Sequence, residues 1–165
     1  MTPTNFAFTD AFPTMLFKHN RWANLTLFDF CVAAPASVWT TEVGGGFGTL
    51  VETWRHIASA EVSYTYRLAN ATALPKSERP AFETQAQVRA SLARTGTLLL
   101  ELAERAASLP SSLVEWEHYR AEVPAALVLT QAINHATEHR AQIMVILTQA
   151  GIAPPDVSGW TYLDA

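Results

Sequence analysis

His135 and His139 stand four residues apart in the run Asn134-His135-Ala136-Thr137-Glu138-His139-Arg140-Ala141-Gln142-Ile143. In a helix that spacing sends both imidazoles off one side, a turn apart, where two ring nitrogens can share one metal ion. Neutral imidazole nitrogen is a good ligand for zinc, nickel or iron, and a catalytic zinc typically has three protein ligands and an open position. The pair therefore needs a third donor. His56 borders the apolar stripe of another long helical segment, and three histidines from two facing helices are how a bundle builds a metal site. The competing reading is a buried network in which the same rings are only structural.

The letters His135-Ala-Thr-Glu138-His139 also spell the H-x-x-E-H pattern of the inverted zinc proteases. Those enzymes take their third ligand from an acidic residue far downstream. Here 165 − 139 = 26 residues follow, with only Asp156 and Asp164 acidic, so the context speaks against a protease. Glu138, about 100° around the helix from His139, points sideways toward a helix contact or an ion pair. His19 lies on the apolar stripe of the first helix, three residues before Trp22. It could reach the metal, hydrogen-bond a neighbouring group or be a satisfied core histidine. Glu61 falls inside an apolar stripe, where an unpaired carboxylate is costly. It is a candidate to orient one of these groups, because metal-bound histidines usually give their other N–H to an oxygen. His118 is expected in solvent, and the five tryptophans are read first as packing residues.

The elements that must position these side chains follow from apolar periodicity. Leu16, His19, Ala23, Leu27 and Phe30 mark a first helix from about Pro13 to Ala34, with Thr9 or Asp10 as its cap. Pro35 to Gly46, ending in three glycines, is a long loop. Leu50, Trp54, Ile57, Glu61, Tyr64 and Leu68 predict a second helix from Phe47–Thr49 to about Asn70. Residues 69–81, with Pro75 and Pro80, form a connection long enough to span a helix, so the third helix need not run antiparallel to the second. Phe82, Val88, Leu92, Leu99, Leu102 and Ala106 mark that third helix; Gly96 costs it about 1 kcal/mol unless a neighbour approaches closely there. Leu113 to Val123 has no strong period and reads as short extended or turn structure. Pro124 opens a fourth helix, capped by a residue just upstream and running to Gly151, and an aromatic tail with Trp160 and Tyr162 can dock back or meet a second chain. Four long amphipathic helices with no convincing strand predict an all-α four-helix bundle.

Composition sets the outer limits. The chain has 165 residues, 49% hydrophobic and 16% charged, enough for one domain with a real core. A formal charge of −4 without clustered Lys or Arg argues against nucleic-acid or anionic-membrane surfaces. Cys31 is the single cysteine, expected as a buried free thiol. No apolar span of membrane length occurs and Met1 to Asp10 lacks a leader pattern, so a soluble cytoplasmic protein is expected.

Three blocks together resemble the DinB/YfiT-like family of metalloenzymes, which is unrelated to the DNA polymerase that shares the DinB name. They are Lys18-His19-Asn20-Arg21-Trp22-Ala23-Asn24, Gly48-Thr49-Leu50 through Trp54-Arg55-His56-Ile57, and Asn134 through Ile143 ending in Gln149-Ala150-Gly151. The resemblance covers nearly the whole of residues 1–165 as one domain and implies a bundle with a long crossover, in up-down-down-up order. It assigns the metal ligands to His56, His135 and His139, and implies a divalent ion, zinc or nickel foremost, iron or manganese next. It further implies a homodimer acting on a small molecule. Characterised relatives include S-transferases that use low-molecular-weight thiols, and family membership alone does not fix activity. The expected function is a metal-dependent thiol S-transferase or hydrolase; the alternative is a non-catalytic stress-response bundle that binds a metal or small ligand.

Overall fold

The computed structural model describes residues 10–42, 46–116 and 118–164, with the side chains of Trp116 and Asp164 outside the description. Its frame is four α-helices, α1 (Phe12–Ala33), α2 (Leu50–Asn70), α3 (Gln85–Glu104) and α4 (Ala125–Gln149). The start of α2 is fixed by a reciprocal cap: the Glu52 amide donates to Thr49 Oγ1, and the Thr49 amide donates to Glu52 Oε2 at 2.8 Å. Gly48 precedes it at φ 122°, and a Cβ there would sit 2.6 Å from Glu52 Oε2, so the cap itself requires glycine. Thr84 and Gln87 repeat the device on α3. That helix consequently begins three residues after the expected Phe82, whose ring instead packs against the core.

Two other expected caps are corrected. Asp10 does not cap α1; its carboxylate accepts from Lys18 Nζ at 2.7 Å, and Ala11 takes the cap position without a side-chain bond. The alternative, Thr9, lies outside the described residues, as do Gly44 and Gly45 of the glycine run. Pro124 itself occupies the cap position of α4, where its missing N–H leaves nothing to satisfy. At the other end Gly151 turns at φ 76° and the Ile152 amide donates to Leu147 O, closing α4.

Side-chain partners fix the directions of the helices. Asp29 meets Arg89 and Arg21 meets Ala93, so α1 and α3 run oppositely. Arg55 meets Glu83 while Glu61 meets Thr95, so α2 and α3 run together. His56 meets His135 and His139, and the Tyr64 ring lies against His135, so α4 opposes α2. The order is up-down-down-up. Parallel α2 and α3 require the link at residues 71–84 to travel the length of the bundle, about 30 Å for a 21-residue helix.

Between α3 and α4, where short extended or turn structure was expected, the chain forms an antiparallel hairpin, β1 (Ser112–Trp116) and β2 (Tyr119–Val123). Its alternation is weak because one side carries the exposed Glu115–Arg120 pair. It is anchored from α2 instead: Arg67 Nη1 donates to Leu113 O at 2.6 Å and Ser112 Oγ to Arg67 O. The tail docks on α1, with Val157 buried and the Tyr162 ring 5.2 Å from that of Trp22. No helix among the described residues is long and apolar enough to cross a membrane.

The core is divided. One apolar cluster gathers around Phe28, Trp54, Leu92 and Ile143, the other around Leu68, Leu99, Leu102 and Leu129. Between them lies a buried polar layer to which every helix contributes: Asn20 and Asn24 from α1, Glu61 from α2, Thr95 from α3 and Arg140 from α4. Gly96 follows Thr95 because α1 presses close there, with an added Cβ landing 2.7 Å from Arg21 Cγ.

Candidate metal centre

His135 and His139 leave α4 on the side facing α2, and His56 leaves α2 to meet them. The three ring centroids form a nearly equilateral triangle, 4.7 Å for His56–His135, 4.7 Å for His56–His139 and 4.4 Å for His135–His139. One ligand atom from each residue lies within 4.8 Å of the other two. The Nε2 atoms of His56 and His135 are 2.9 Å apart, close to the roughly 3.3 Å that two imidazole nitrogens keep on a tetrahedral zinc. The donor set thus fits a borderline divalent ion.

Electrostatics keep the donors in their ligating form. Burial pushes the His135 pKa down to about 4, helped by the neighbouring His139 and His56 rings, and burial followed by His139 also lowers that of His56. Both rings are therefore neutral at pH 7. His139, 7% exposed, has a further device: its Nδ1 hydrogen-bonds Gln142 Oε1 at 2.8 Å. A carbonyl oxygen only accepts, so the proton is on Nδ1 and the lone pair of Nε2 is free for the site. Gln142 was not among the expected site residues, although its position three residues past His139 on the same helix was a usable signal. Phe47 was missed as well. Its ring stacks on His56 at 3.7 Å and meets His139 edge-on at 5.4 Å, while remaining 47% exposed. It forms an apolar wall between the histidines and solvent.

His19 is elsewhere. Its Nε2–H donates to Val157 O at 2.9 Å, and its ring lies against Trp22 and Tyr162, so the tail is what it holds. Glu61 is 1% exposed and engages the polar layer: Asn24 Nδ2 donates to Oε1 at 2.8 Å, and Oε2 touches Thr95 Oγ1. Thr95 Oγ1 also lies 2.9 Å from Ser91 O. One hydroxyl proton shared between two acceptors gives each a weaker, three-centre bond. With Thr95 donating to Glu61 the proton is shared; each contact becomes a full bond when Glu61 is protonated and donates to Thr95, which then donates to Ser91 O. Burial drives the same outcome, raising the Glu61 pKa to about 7 against the opposing effects of the Thr95 bond and the Arg140 charge. His118 is exposed, as expected; Glu138 is exposed too and joins no ion pair among the described residues, so the expected helix contact or ion pair is not formed.

The model of the DinB family matches residues 2–165. The chain belongs to the DinB family. Two solved DinB-like structures share its fold. One, from Bacillus subtilis, has 12% sequence identity and a TM-score of 0.65, covering 87% of this chain and 97% of that one. The other, from Bacillus cereus ATCC 10987, has 18% identity and a TM-score of 0.61, covering 86% and 93%. No curated protein matches. At such identities the likeness speaks for the DinB bundle alone, and activity must be argued from the site.

Proposed function

We propose that this DinB protein is a metal-dependent enzyme in which His56, His135 and His139 hold a divalent ion, zinc or nickel foremost, for a thiol S-transfer or hydrolysis on a small molecule. The observation that carries this is the convergence of three imidazoles, from two helices, on one point. A bound divalent ion lowers the pKa of a coordinated thiol or water, supplying a thiolate or hydroxide nucleophile near neutral pH. The chain's own part is positional. Gln142 fixes the tautomer of His139, and burial holds His56 and His135 free of protons. Phe47 and Tyr64 flank the histidines with ring surface, which suits a substrate with an apolar or aromatic body.

Untagged protein, purified and subjected to elemental analysis, is expected to contain one divalent ion per chain. Changing all three histidines to Ala is expected to abolish it, and full occupancy in that variant would overturn the assignment. Turnover of an electrophile in the presence of a low-molecular-weight thiol selects the transferase; thiol-independent turnover selects the hydrolase. Size measurement in solution tests the homodimer proposed with this reading.

A further inference from the structure

The polar layer holds a cation that no carboxylate touches. Arg140 is 5% exposed. No ion pair among the described residues includes it. Its hydrogen bonds all end on neutral oxygens: Nη1 donates to Asn20 Oδ1 at 2.6 Å and Asn24 Oδ1 at 2.7 Å, and Nη2 to Thr137 Oγ1 at 3.0 Å. Glu61, in the same layer, acts on the guanidinium through Asn24, which touches both, and makes no direct contact with it. A buried guanidinium with no carboxylate in direct contact is a costly arrangement in a protein interior. Of its five N–H donors, three are engaged, leaving Nε–H and one on Nη2.

Arg140 also lines a cleft of about 440 Å³ between α1, α4 and residues 155–158. Asn20 shares its polar end, and Leu16, Ile133, Met144 and Val157 supply apolar walls. On α4 this lining lies roughly opposite His135 and His139, since Ile133, Thr137 and Met144 fall about 160–200° around the helix from His135. The cleft is therefore separate from the metal centre. We propose that it binds a small monocarboxylate with an apolar body, whose carboxylate takes the spare N–H groups of Arg140 and pairs with it directly. Asp156, the one carboxylate on the lining, is already turned to the tail, where Oδ1 accepts from the Ser158 amide and Oδ2 from the Thr161 hydroxyl. His19 is likewise committed to Val157 O. A single guanidinium in apolar surroundings matches a monoanion; a phosphate dianion would leave charge uncompensated.

The test uses full-length protein stripped of metal and then freed of chelator, so that no carboxylate can report through the histidines. Hexanoate is titrated while the Arg140 Nε–H resonance and the melting temperature are followed. Saturable movement of that resonance and a rise in melting temperature are expected, with hexanamide binding about tenfold or more weakly, as loss of a charge-assisted pair implies. Inorganic phosphate should do neither. Ala141→Trp, on the exposed rim, should remove the hexanoate response while keeping the ligand-free melting temperature, which avoids the risk that Arg140→Gln fails to fold. The proposal is overturned if hexanoate moves neither signal, if hexanamide or phosphate matches it, or if the folded Ala141→Trp variant responds as the parent does.

Discussion

Glu61→Gln discriminates between two descriptions of the bundle's centre. If Glu61 is protonated, it accepts at Oε1 from Asn24 and donates from Oε2 to Thr95. A glutamine reproduces that pattern atom for atom, with its carbonyl toward Asn24 and its amide toward Thr95. The sign follows from linkage: the folded-state pKa of about 7 lies above the ordinary 4.5, so the unfolded chain releases the proton first as pH rises. Stability is thus present below about pH 4.5 and lost as pH climbs to 7, at up to about 1.4 kcal/mol per pH unit. Across that window the ceiling is about 3 kcal/mol, or roughly 6–12 °C in melting temperature for a chain of this size. Urea denaturation of both proteins between pH 5 and 8 reads this as a difference, in which other titrations cancel. Near equality at pH 5 is expected, with the glutamine variant gaining on the parent by as much as that ceiling at pH 8. If the variant is instead less stable by 2 kcal/mol or more at pH 8, the carboxylate is ionised and serves as counter-ion to Arg140, and the reasoning fails.

Gln142→Leu removes the acceptor that orients His139 and should weaken metal binding about 10–100-fold by competition with a chromophoric chelator, with little change in metal-free stability. Gly96→Ala gains about 1 kcal/mol of helix propensity yet should lower stability by roughly 1–3 kcal/mol net, because the new methyl meets the Arg21 stem; a more stable variant in urea would show that α1 can yield. Cys31 is 0% exposed, and burial raises its pKa to about 11. It should resist thiol reagents in the native protein and react once urea unfolds it.

How much of this was written in the sequence differs by level. The four helices were legible because each repeats an apolar stripe, whereas the capping pairs Thr49–Glu52 and Thr84–Gln87, present within four residues each, do not enter that reading, and its start of α3 falls early for that reason. The three histidines were legible for a related reason: helical periodicity says which side chains share a face, and a metal site needs faces that converge. The polar layer was only half visible. Glu61 on an apolar stripe announced that a partner must exist, but Asn24, Thr95 and Arg140 come from three other helices, and no local pattern says which residues share a level in a bundle. Phe47 follows a glycine run whose course no periodicity determines. The hairpin escaped because Glu115, Arg120 and Glu122 interrupt the alternation that would mark half-buried strands, and its anchor, Arg67, lies 46 residues away from Leu113.

The docking of residues 157–162 on α1 has a consequence for the order in which the molecule is made. His19 and its partner carbonyl at Val157 are 138 residues apart, and at a synthesis rate of roughly 5–20 residues per second the early helix waits some ~7–28 s for its cover. His56 waits as well, since both of its companions are on α4. For that interval the nascent chain has neither a closed apolar surface nor a complete set of donors. On the proposed reading, the ion is acquired only after α4 has been translated, and full-length chains made without metal would still hold an unfilled set of donors.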